Sequence, residues 1–428
     1  MKISKKMKSL IAVLILAMLL TACGSASGGK KEAAGEGDTA APAVQQEEST
    51  SAVDEEEEFM DETEEAAVSE GQGATDDSAP EISGLTYAST MDLQYATCFK
   101  VHYYQDGYKL IDIPLSGKYL IVPDGGEAPA DLDEEITVVR QPLDQIYLAA
   151  TGSMSFIDKL DAIDHVTMSS LDEKGWVIQA PIDALKSGKM TFAGKYSAPD
   201  YEMLVTKDCD LALESTMILH TPEVQEMIED LGIPVMIDRC SYEKDVLGRI
   251  EWIKMYGALL NKEDVAEEAF AAQKAIVDSM EEYENTGKTV AFFSVNSDRS
   301  VVVRKSADII PNMIEIAGGK YIFENLDNPA TKSASMNLTM EEFYNKAVDA
   351  DYIIYNGTIE GPLTSVDDLL GKDEVFAEFK AVKEGNVWTV DKTWYQDTSN
   401  VANLIVDMNI MLEDKDPSGL TFMKKISK

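Results

Sequence analysis

The sequence predicts an α/β protein in which two similar lobes flank one long helix. Three observations carry that prediction. A run near the middle of the chain has the apolar period of a helix. Short apolar runs alternate with amphipathic runs on both sides of it, as in βαβ units. The third observation is a helix–strand pattern that occurs once before the long helix and once after it, which indicates a duplicated lobe.

The long helix is predicted from Glu263 to Glu284, and its about 22 residues would span roughly 33 Å. Asn261 can cap its start, and Asn285-Thr286-Gly287 supplies a stop. One face carries apolar residues at three- and four-residue steps, namely Val265, Ala269, Ala272, Ile276, Met280 and Tyr283. We therefore expect this helix to connect the two lobes.

The repeated unit consists of an acidic helix start, a helix end between two aspartates, and a short apolar strand. Its two copies run from Tyr201 to Leu213 and from Glu341 to Ile354. Ligands of open α/β sheets bind beyond the carboxyl ends of the strands, and so the repeat predicts a ligand cleft between the lobes.

The first 22 residues have the order of a secretory signal, in which lysines precede an apolar run from Leu10 to Leu20. The run ends in Leu20-Thr21-Ala22-Cys23, which resembles a bacterial lipobox and implies cleavage before Cys23 and lipid on its sulfur. Between residues 24 and 81, 18 acidic residues stand against two lysines, so residues 23–90 are predicted to be a disordered acidic tether.

The charge and the cysteines exclude several classes of function. A net charge of −40 argues against nucleic acid as a partner. After the signal no run approaches ~20 apolar residues, so we expect the lipid to be the only membrane attachment. Cys209 and Cys240 lie near strand ends and can pair, but free thiols are the favoured alternative. No metal-ligand spacing is present, and neither a metal nor a cofactor is expected.

No motif predicts catalysis. Gly152-Ser153-Met154-Ser155 lacks the second glycine of a nucleophile elbow, and neither a phosphate-binding loop nor a zinc-protease motif occurs. We therefore expect a protein that is not an enzyme. The predicted divisions are a signal (1–22), the tether (23–90), an N-terminal lobe (91–260), the interlobe helix (261–286) and a C-terminal lobe (287–428). Whether the strands from Phe99 to Val122 belong to the first lobe or form an extra module stays open.

Four segments resemble the substrate-binding proteins of ABC importers for iron complexes and vitamin B12. Glu202 and Asp210 keep the family's spacing, although Cys209 replaces the usual proline. The other three segments are Leu231-Gly232-Ile233-Pro234-Val235, Ile316-Ala317-Gly318-Gly319 and Ala381-Val382-Lys383-Glu384-Gly385-Asn386-Val387. The resemblance covers about Ile136 to Glu413. It implies a class III periplasmic-binding-protein fold, with two Rossmann-like lobes joined by a rigid interlobe helix.

The resemblance also implies a function and partners. We expect an extracytoplasmic, lipid-anchored and monomeric protein that captures a ferric siderophore, haem or a corrinoid and delivers it to an ABC permease with its ATPase. A surface glutamate on each lobe would dock against the permease: Glu202 on the first lobe, and Glu341 or Glu342 on the second. The alternative is a sensory or adhesive lipoprotein that keeps the fold without transport.

The ligand is expected at the loops that follow the strands. The candidate contacts in the first lobe are Ser153, Met154, Tyr196, Ser215, Met217 and His220. Those in the second lobe are Arg304, Met336, Trp394 and Tyr395. Tyr196, Trp394 and Tyr395 offer flat aromatic surface. Met217 and His220 are candidate axial ligands to a haem or cobalt. Arg304, with Lys305 beside it, would suit an anionic chelate, and the sequence does not choose among the ligands.

Overall fold

The computed structural model describes residues 79–427, except 281–282, 307, 325 and 327–334. The predicted signal, Cys23 and most of the predicted tether lie outside the described residues. All elements below belong to one compact unit. Among the described residues, no helix has both the length and the apolarity that crossing a membrane requires.

The strands near the N-terminus form a sheet of their own. Its order is β1 (Tyr87–Thr90), β2 (Lys100–Tyr104), β3 (Lys109–Ile113), β4 (Gly117–Val122) and β5 (Ile136–Arg140). All pairs are antiparallel except β4 with β5. The strands from Phe99 to Val122 are therefore an extra module, and β5 joins it although the resemblance began at Ile136. The ordered fold also begins before residue 90, because β1 pairs with β2 and Ile82 is buried.

Both faces of this N-terminal sheet are covered. One face sends Val101, Ile111 and Ile121 into the main core, whereas Leu110 and Leu120 pack with Ile82 in a small separate core. Alternating residues thus face opposite sides, as the two-residue period of a strand requires.

The first lobe is built on a parallel sheet with the order β12–β11–β6–β7–β8. Its strands are β6 (Ile146–Leu148), β7 (Val166–Ser169), β8 (Thr191–Phe192), β11 (Leu211–Glu214) and β12 (Val235–Ile237). A short hairpin, β9 (Gly194–Lys195) and β10 (Ala198–Pro199), lies between β8 and β11. The helices are α1 (Met154–Lys159), α2 (Gln179–Ser187), α3 (Tyr201–Thr206) and α4 (Pro222–Asp230). Strands β6, β11 and β12 are apolar except for Glu214 at the end of β11, because both of their faces are buried.

The second lobe has a mixed sheet with the order β16–β14–β13–β17–β18–β19, and a short strand, β15, pairs with β13. Its strands are β13 (Thr289–Val295), β14 (Val301–Arg304), β15 (Lys320–Tyr321), β16 (Ser335–Leu338), β17 (Tyr352–Asn356), β18 (Val387–Val390) and β19 (Met423–Lys425). The helices are α7 (Ile309–Ile316), α8 (Met340–Ala347), α9 (Val366–Lys372), α10 (Lys380–Glu384), α11 (Thr393–Gln396) and α12 (Ala402–Leu412). Parallel strands β13, β17 and β18 form its centre.

In both copies of the repeat, the aspartate before the strand makes the same kind of hydrogen bond. Asp210 accepts hydrogen bonds from the backbone amides of Asp144 and Gln145, both at 2.9 Å, just before β6. In the second lobe Asp351 accepts one from the amide of Thr289, at 2.8 Å, at the start of β13. Each aspartate therefore ties the start of its own strand to the start of the neighbouring parallel strand.

Two consecutive helices, α5 (Val246–Leu260) and α6 (Glu263–Met280), join the lobes. Helix α5 packs against α1 of the first lobe, β2 of the N-terminal sheet and α7 of the second lobe, whereas α6 packs against α5 and α12. The predicted long helix corresponds to α6 and ends earlier than expected. A second helix thus shares the junction.

Two details of that helix prediction are wrong. Asn261 does not cap the start of α6 but ends α5, in the left-handed conformation with φ of 57°. The buried face of α6 consists of Ala266, Phe270, Gln273, Val277 and Met280. Val265 and Tyr283, placed on that face by the sequence, are exposed. The buried face is therefore shifted by one residue along the helix from the predicted face, because it is centred on the large side chain of Phe270.

Candidate ligand-binding cleft

A cavity lies where the carboxyl ends of the two lobes' strands meet. It encloses about 820 Å³ of empty space, part of which is open to solvent. The first lobe and α5 contribute Ala150, Thr151, Gly152, Ser153, Ser215, Asp238, Cys240, Ser241 and Arg249. The second lobe contributes Ile309, Trp394, Tyr395, Thr398 and Val401. Both lobes thus form its walls, as expected for parallel sheets whose ligands bind beyond the strand ends.

The lobes contact each other beside this cavity. Gln396, which is 0% exposed, donates from Nε2 to the carbonyl of Gly175 at 3.0 Å and accepts from the amide of Val177 at 2.9 Å. Lys392 Nζ reaches the same carbonyl of Gly175 at 2.7 Å. Gly152 lies so close to the second lobe that a Cβ there would meet Thr398 Oγ1 at 3.3 Å. The lobes are therefore apposed at this edge of the cleft.

Ser153 and Asp238 line the cavity, and their side-chain oxygens form a triangle with the hydroxyl of Tyr256, which is buried behind them. Ser153 Oγ lies 2.8 Å from Asp238 Oδ2 and 2.7 Å from the hydroxyl of Tyr256. The Tyr256 hydroxyl also contacts Asp238 Oδ2 directly. The other carboxylate oxygen, Asp238 Oδ1, accepts from the amide of Cys240 at 2.7 Å. Tyr256 on helix α5 therefore links the loop after β6 to the loop after β12.

Burial raises the pKa of Asp238 above its ordinary value. The hydrogen bonds from Tyr256, Cys240 and Ser153, and the charge of Arg249, oppose that rise without cancelling it. Burial likewise places the pKa of the Cys240 thiol well above its usual range, and nearby Asp238 adds to the rise. Burial therefore favours the protonated form of the Asp238 carboxyl, and it keeps the Cys240 thiol protonated near neutral pH.

Arg249 is the cation of the cavity lining, within the part of the chain that the structure describes. Its Nη2 donates to the carbonyl of Ser241 at 2.5 Å, and its Nε donates to the carbonyl of Glu243 at 3.4 Å. Both acceptors lie just before α5, so the guanidinium is fixed against its own helix start. A fixed guanidinium can bind a carboxylate or another anion in two-pronged fashion.

The comparisons with known proteins identify the family. The model of a family described as periplasmic binding protein matches residues 158–393, which is more than half of the chain. The chain belongs to the periplasmic binding protein family. Its relatives include two uncharacterized lipoproteins of Methanocaldococcus jannaschii. One is 23% identical over 76% of this chain and 82% of its own length, and the other is 24% identical over 71% and 78%.

Solved structures confirm the two-lobed α/β fold. A periplasmic binding protein from Veillonella parvula superposes with a TM-score of 0.54 at 14% identity, over 74% of this chain and 99% of its own. A periplasmic heme binding protein from Pseudomonas aeruginosa gives 0.51 at 14% identity, over 67% and 98%. The family and fold are those of solute-binding proteins, and the recognition made from four short segments is confirmed.

Four of the ten candidate contacts line the cavity of this binding protein: Ser153, Ser215, Trp394 and Tyr395. The indole of Trp394 is almost fully buried. Its Nε1 donates to Thr358 Oγ1 at 3.0 Å, and its ring meets Phe292 edge-on with centroids 6.4 Å apart. The loops after the strands thus converge, and contact of these four residues with a ligand stays a prediction.

The other six candidates do not line this cavity. Met154 and Met217 are buried, Tyr196 packs against the first lobe's own core, His220 is exposed, and Met336 is half-buried. Arg304 is buried, and its Nη1 lies 3.7 Å from Asp308 Oδ2. Lys305 is also buried. The cation that faces the cavity is Arg249, so ligand contact by these six rests on the sequence alone.

Sequence reasoning missed Asp238 and Arg249. Asp238 directly follows β12, where a polar residue at a strand's carboxyl end is a usable signal, but that loop was not selected. Arg249 lies within the helix α5 and was not among the candidate contacts. Its role depends on the path of the chain before α5, which no local pattern reveals.

The candidate docking glutamates lie at helix starts. Glu202 and Glu341 are exposed in the first turns of α3 and α8. Glu342 forms a capping box, in which its Oε2 accepts from the amide and the hydroxyl of Thr339 at 2.9 and 2.8 Å. These two hydrogen bonds lower the pKa of Glu342.

The cysteines and metals also have a plain outcome. Cys98, Cys209 and Cys240 are free thiols, so Cys209 and Cys240 are not paired. Among residues 79–427, with the gaps given above, no cluster of three side chains suited to a metal occurs.

Proposed function

We propose that this chain is a lipid-anchored, extracytoplasmic substrate-binding protein for an iron complex (ferric siderophore or haem) or a corrinoid. It delivers that ligand to an ABC permease and its ATPase. The observation that carries the proposal is the cavity between the carboxyl ends of the two lobes' sheets, lined by both lobes. The fold match to a periplasmic heme binding protein from Pseudomonas aeruginosa supports it.

The chemistry of the cavity suits such a ligand. The cavity is partly open to solvent, so a small molecule can reach it from outside. Trp394 and Tyr395 supply flat apolar surface on one wall, while serine and threonine hydroxyls supply hydrogen bonds on the other. Anchoring by lipid on Cys23, the division into signal, tether and two lobes (with the tether ending before β1) and the monomeric state belong to the same proposal. The two relatives named lipoproteins favour the anchor.

The test is a tryptophan-fluorescence titration of the purified full chain with haemin, cyanocobalamin and a set of ferric siderophores. Trp394 is one of four tryptophans, and its place on the cavity wall predicts saturable quenching by one class of ligand. Trp394→Phe should lose most of that signal while a calorimetric titration still detects binding. No binding by any ligand in the set would contradict the proposal and favour a sensory or adhesive lipoprotein.

The structure also sharpens the docking proposal. Glu342 is engaged by Thr339, which favours Glu341 as the docking acid of the second lobe, together with Glu202 of the first. Replacing Glu202 or Glu341 with arginine should abolish ligand uptake by cells and leave ligand affinity unchanged. Glu342→Gln is the matched control and should keep uptake. Equal loss of uptake in all three variants would contradict the assignment.

A further inference from the structure

The side-chain oxygens of Ser153, Asp238 and Tyr256 make three contacts with each other, but the two hydroxyl groups supply only two hydrogens. In each of the three pairs, the two oxygens lie within hydrogen-bond distance. Each such contact needs a hydrogen between its two oxygens, and each hydroxyl supplies one. An ionised Asp238 would supply none, so one pair would face each other with lone pairs only. A protonated Asp238 supplies the third hydrogen and completes the triangle.

The surroundings of Asp238 agree with that count. Its neighbours with ionisable or charged groups are Tyr256 and Arg249 from α5 and Cys240 from the loop before it. Tyr256 and Cys240 are neutral because burial raises the pKa of each well above its usual range. Arg249 favours the carboxylate form, yet burial outweighs it and the pKa of Asp238 is raised overall.

With Asp238 neutral, the guanidinium of Arg249 sets the charge of the cavity. Two of its donors are bound to the carbonyls of Ser241 and Glu243. Its Nη1 hydrogens find no acceptor among the described residues of the chain, and Arg249 itself lines the cavity. A partly desolvated cation with spare donors favours an anion, and a carboxylate or catecholate oxygen satisfies both needs.

We infer that the cleft holds its ligand through an anionic group against Arg249, and that the Ser153–Asp238–Tyr256 triangle is a neutral hydrogen-bonding wall beside it. This inference rests on the proposed function and narrows its ligand class to anionic chelates and carboxylate-bearing tetrapyrroles. A neutral complex would leave the guanidinium desolvated without a partner, which costs affinity.

The test uses the full chain and four probes that differ in charge. A ferric tris-catecholate is an anion and haemin carries carboxylates, whereas a ferric trihydroxamate and cyanocobalamin have no net charge. Arg249→Gln should weaken binding of an anionic probe about 10- to 100-fold, the usual effect of losing a hydrogen bond to a charged group. Arg249→Lys, which keeps the charge, should restore part of the loss.

Lys244→Gln is the matched control, because it removes one positive charge from the same segment at an exposed position outside the cavity. It should change affinity less than threefold. Asp238→Asn removes the titratable carboxyl beside Arg249, so it should not tighten the binding of an anionic probe if Asp238 is already neutral. The loss in Arg249→Gln should fall only on anionic probes, since a folding defect would weaken every probe alike.

Three other results would overturn the ideas separately. Silence from all four probes overturns the proposed function. Tight binding of a neutral probe, unchanged in Arg249→Gln, overturns this inference and leaves the proposed function standing. Binding of the anionic probe that tightens tenfold or more in Asp238→Asn shows that Asp238 was ionised, and overturns the neutral wall.

Discussion

Helices α5 and α6 follow each other in the chain and pack together, yet they are built on opposite principles. Of the 15 residues of α5, 14 are buried, whereas five of the 18 residues of α6 are buried. Helix α6 has the polar and apolar faces that a sequence pattern reveals. Helix α5 has no polar face and carries Arg249 and Tyr256 of the cleft. The helix that is easier to recognise is thus not the one that builds the site.

The polar side chains of α5 need partners inside the protein because they cannot reach water. Glu251 is 0% exposed and accepts hydrogen bonds from the backbone amides of Gln94, Tyr95 and Ala96 at 2.8–3.1 Å. Glu243, just before the helix, does the same for Thr97 and Cys98. Two buried carboxylates therefore clamp the segment that leads into the N-terminal sheet.

The largest expected effect comes from breaking this clamp with Glu251→Ala. The substitution leaves three backbone amides without their acceptor and Lys254 without its inner partner at 3.3 Å. Removing one partner from a buried charged network typically costs about 3–5 kcal/mol. Urea unfolding measures the loss directly.

The matched control lies on α6. Glu267 pairs with the same Lys254 at 2.9 Å, but its side chain is 65% exposed. Glu267→Ala should cost about 0–1 kcal/mol, because exposed ion pairs contribute little. If the two variants unfold at the same urea concentration, the contrast between the helices is wrong.

The second prediction tests which face of α6 packs against the protein. Phe270→Ala should cost about 3–5 kcal/mol, since the ring is 2% exposed and its loss opens a cavity. Val265→Ala should stay within about 0.5 kcal/mol, because Val265 is 39% exposed. A larger loss at Val265 than at Phe270 would restore the face inferred from the sequence.

This contrast explains how far the sequence could lead. Local periodicity and acidic helix starts are visible in the sequence. They were enough to predict the lobes, the repeat and the position of α6. The buried face of α6 could not be placed to the residue, because five alanines make its pattern nearly symmetrical. Trp394 and Ser153 lie in segments that follow strands, and for that reason the sequence could place them at the cavity. Arg249 and Asp238 owe their roles to contacts made by α5, and those contacts join residues far apart in the chain.

The third prediction concerns the junction between the helices. Asn261 adopts a left-handed backbone with φ of 57°, and its Oδ1 accepts from Lys109 Nζ at 2.7 Å. Asn261→Ala should cost about 1–2 kcal/mol, because the left-handed conformation costs L-residues about that much and alanine lacks the short polar side chain that lets asparagine tolerate it. Asn261→Gly should cost less than about 1 kcal/mol, since glycine adopts it freely and Lys109 keeps Ala258 and Glu263 as acceptors. Equal losses would show that the hydrogen bond, and not the backbone, matters at this junction.

The last prediction changes a pH dependence more than a stability, and it concerns the end of α5 that faces the cleft. Burial raises the pKa of Asp238 above 3.8, its ordinary value, and that of the unfolded chain stays near it. A raised folded-state pKa contributes stability that is fully present below the unfolded pKa and is lost as pH rises through the folded pKa. Asp238→Asn has no such titration.

The free energy of unfolding of the native protein should therefore fall relative to that of Asp238→Asn as pH rises above about 4, and the difference should level off once the folded carboxyl is ionised. Urea unfolding of both proteins in steps from about pH 4 to about pH 8 measures it. The other acidic groups of this chain are common to both proteins and cancel in the difference. Parallel curves would show that Asp238 titrates normally in the folded protein. In that case Tyr256 of α5 would face a carboxylate in the cleft, and the neutral wall would not exist.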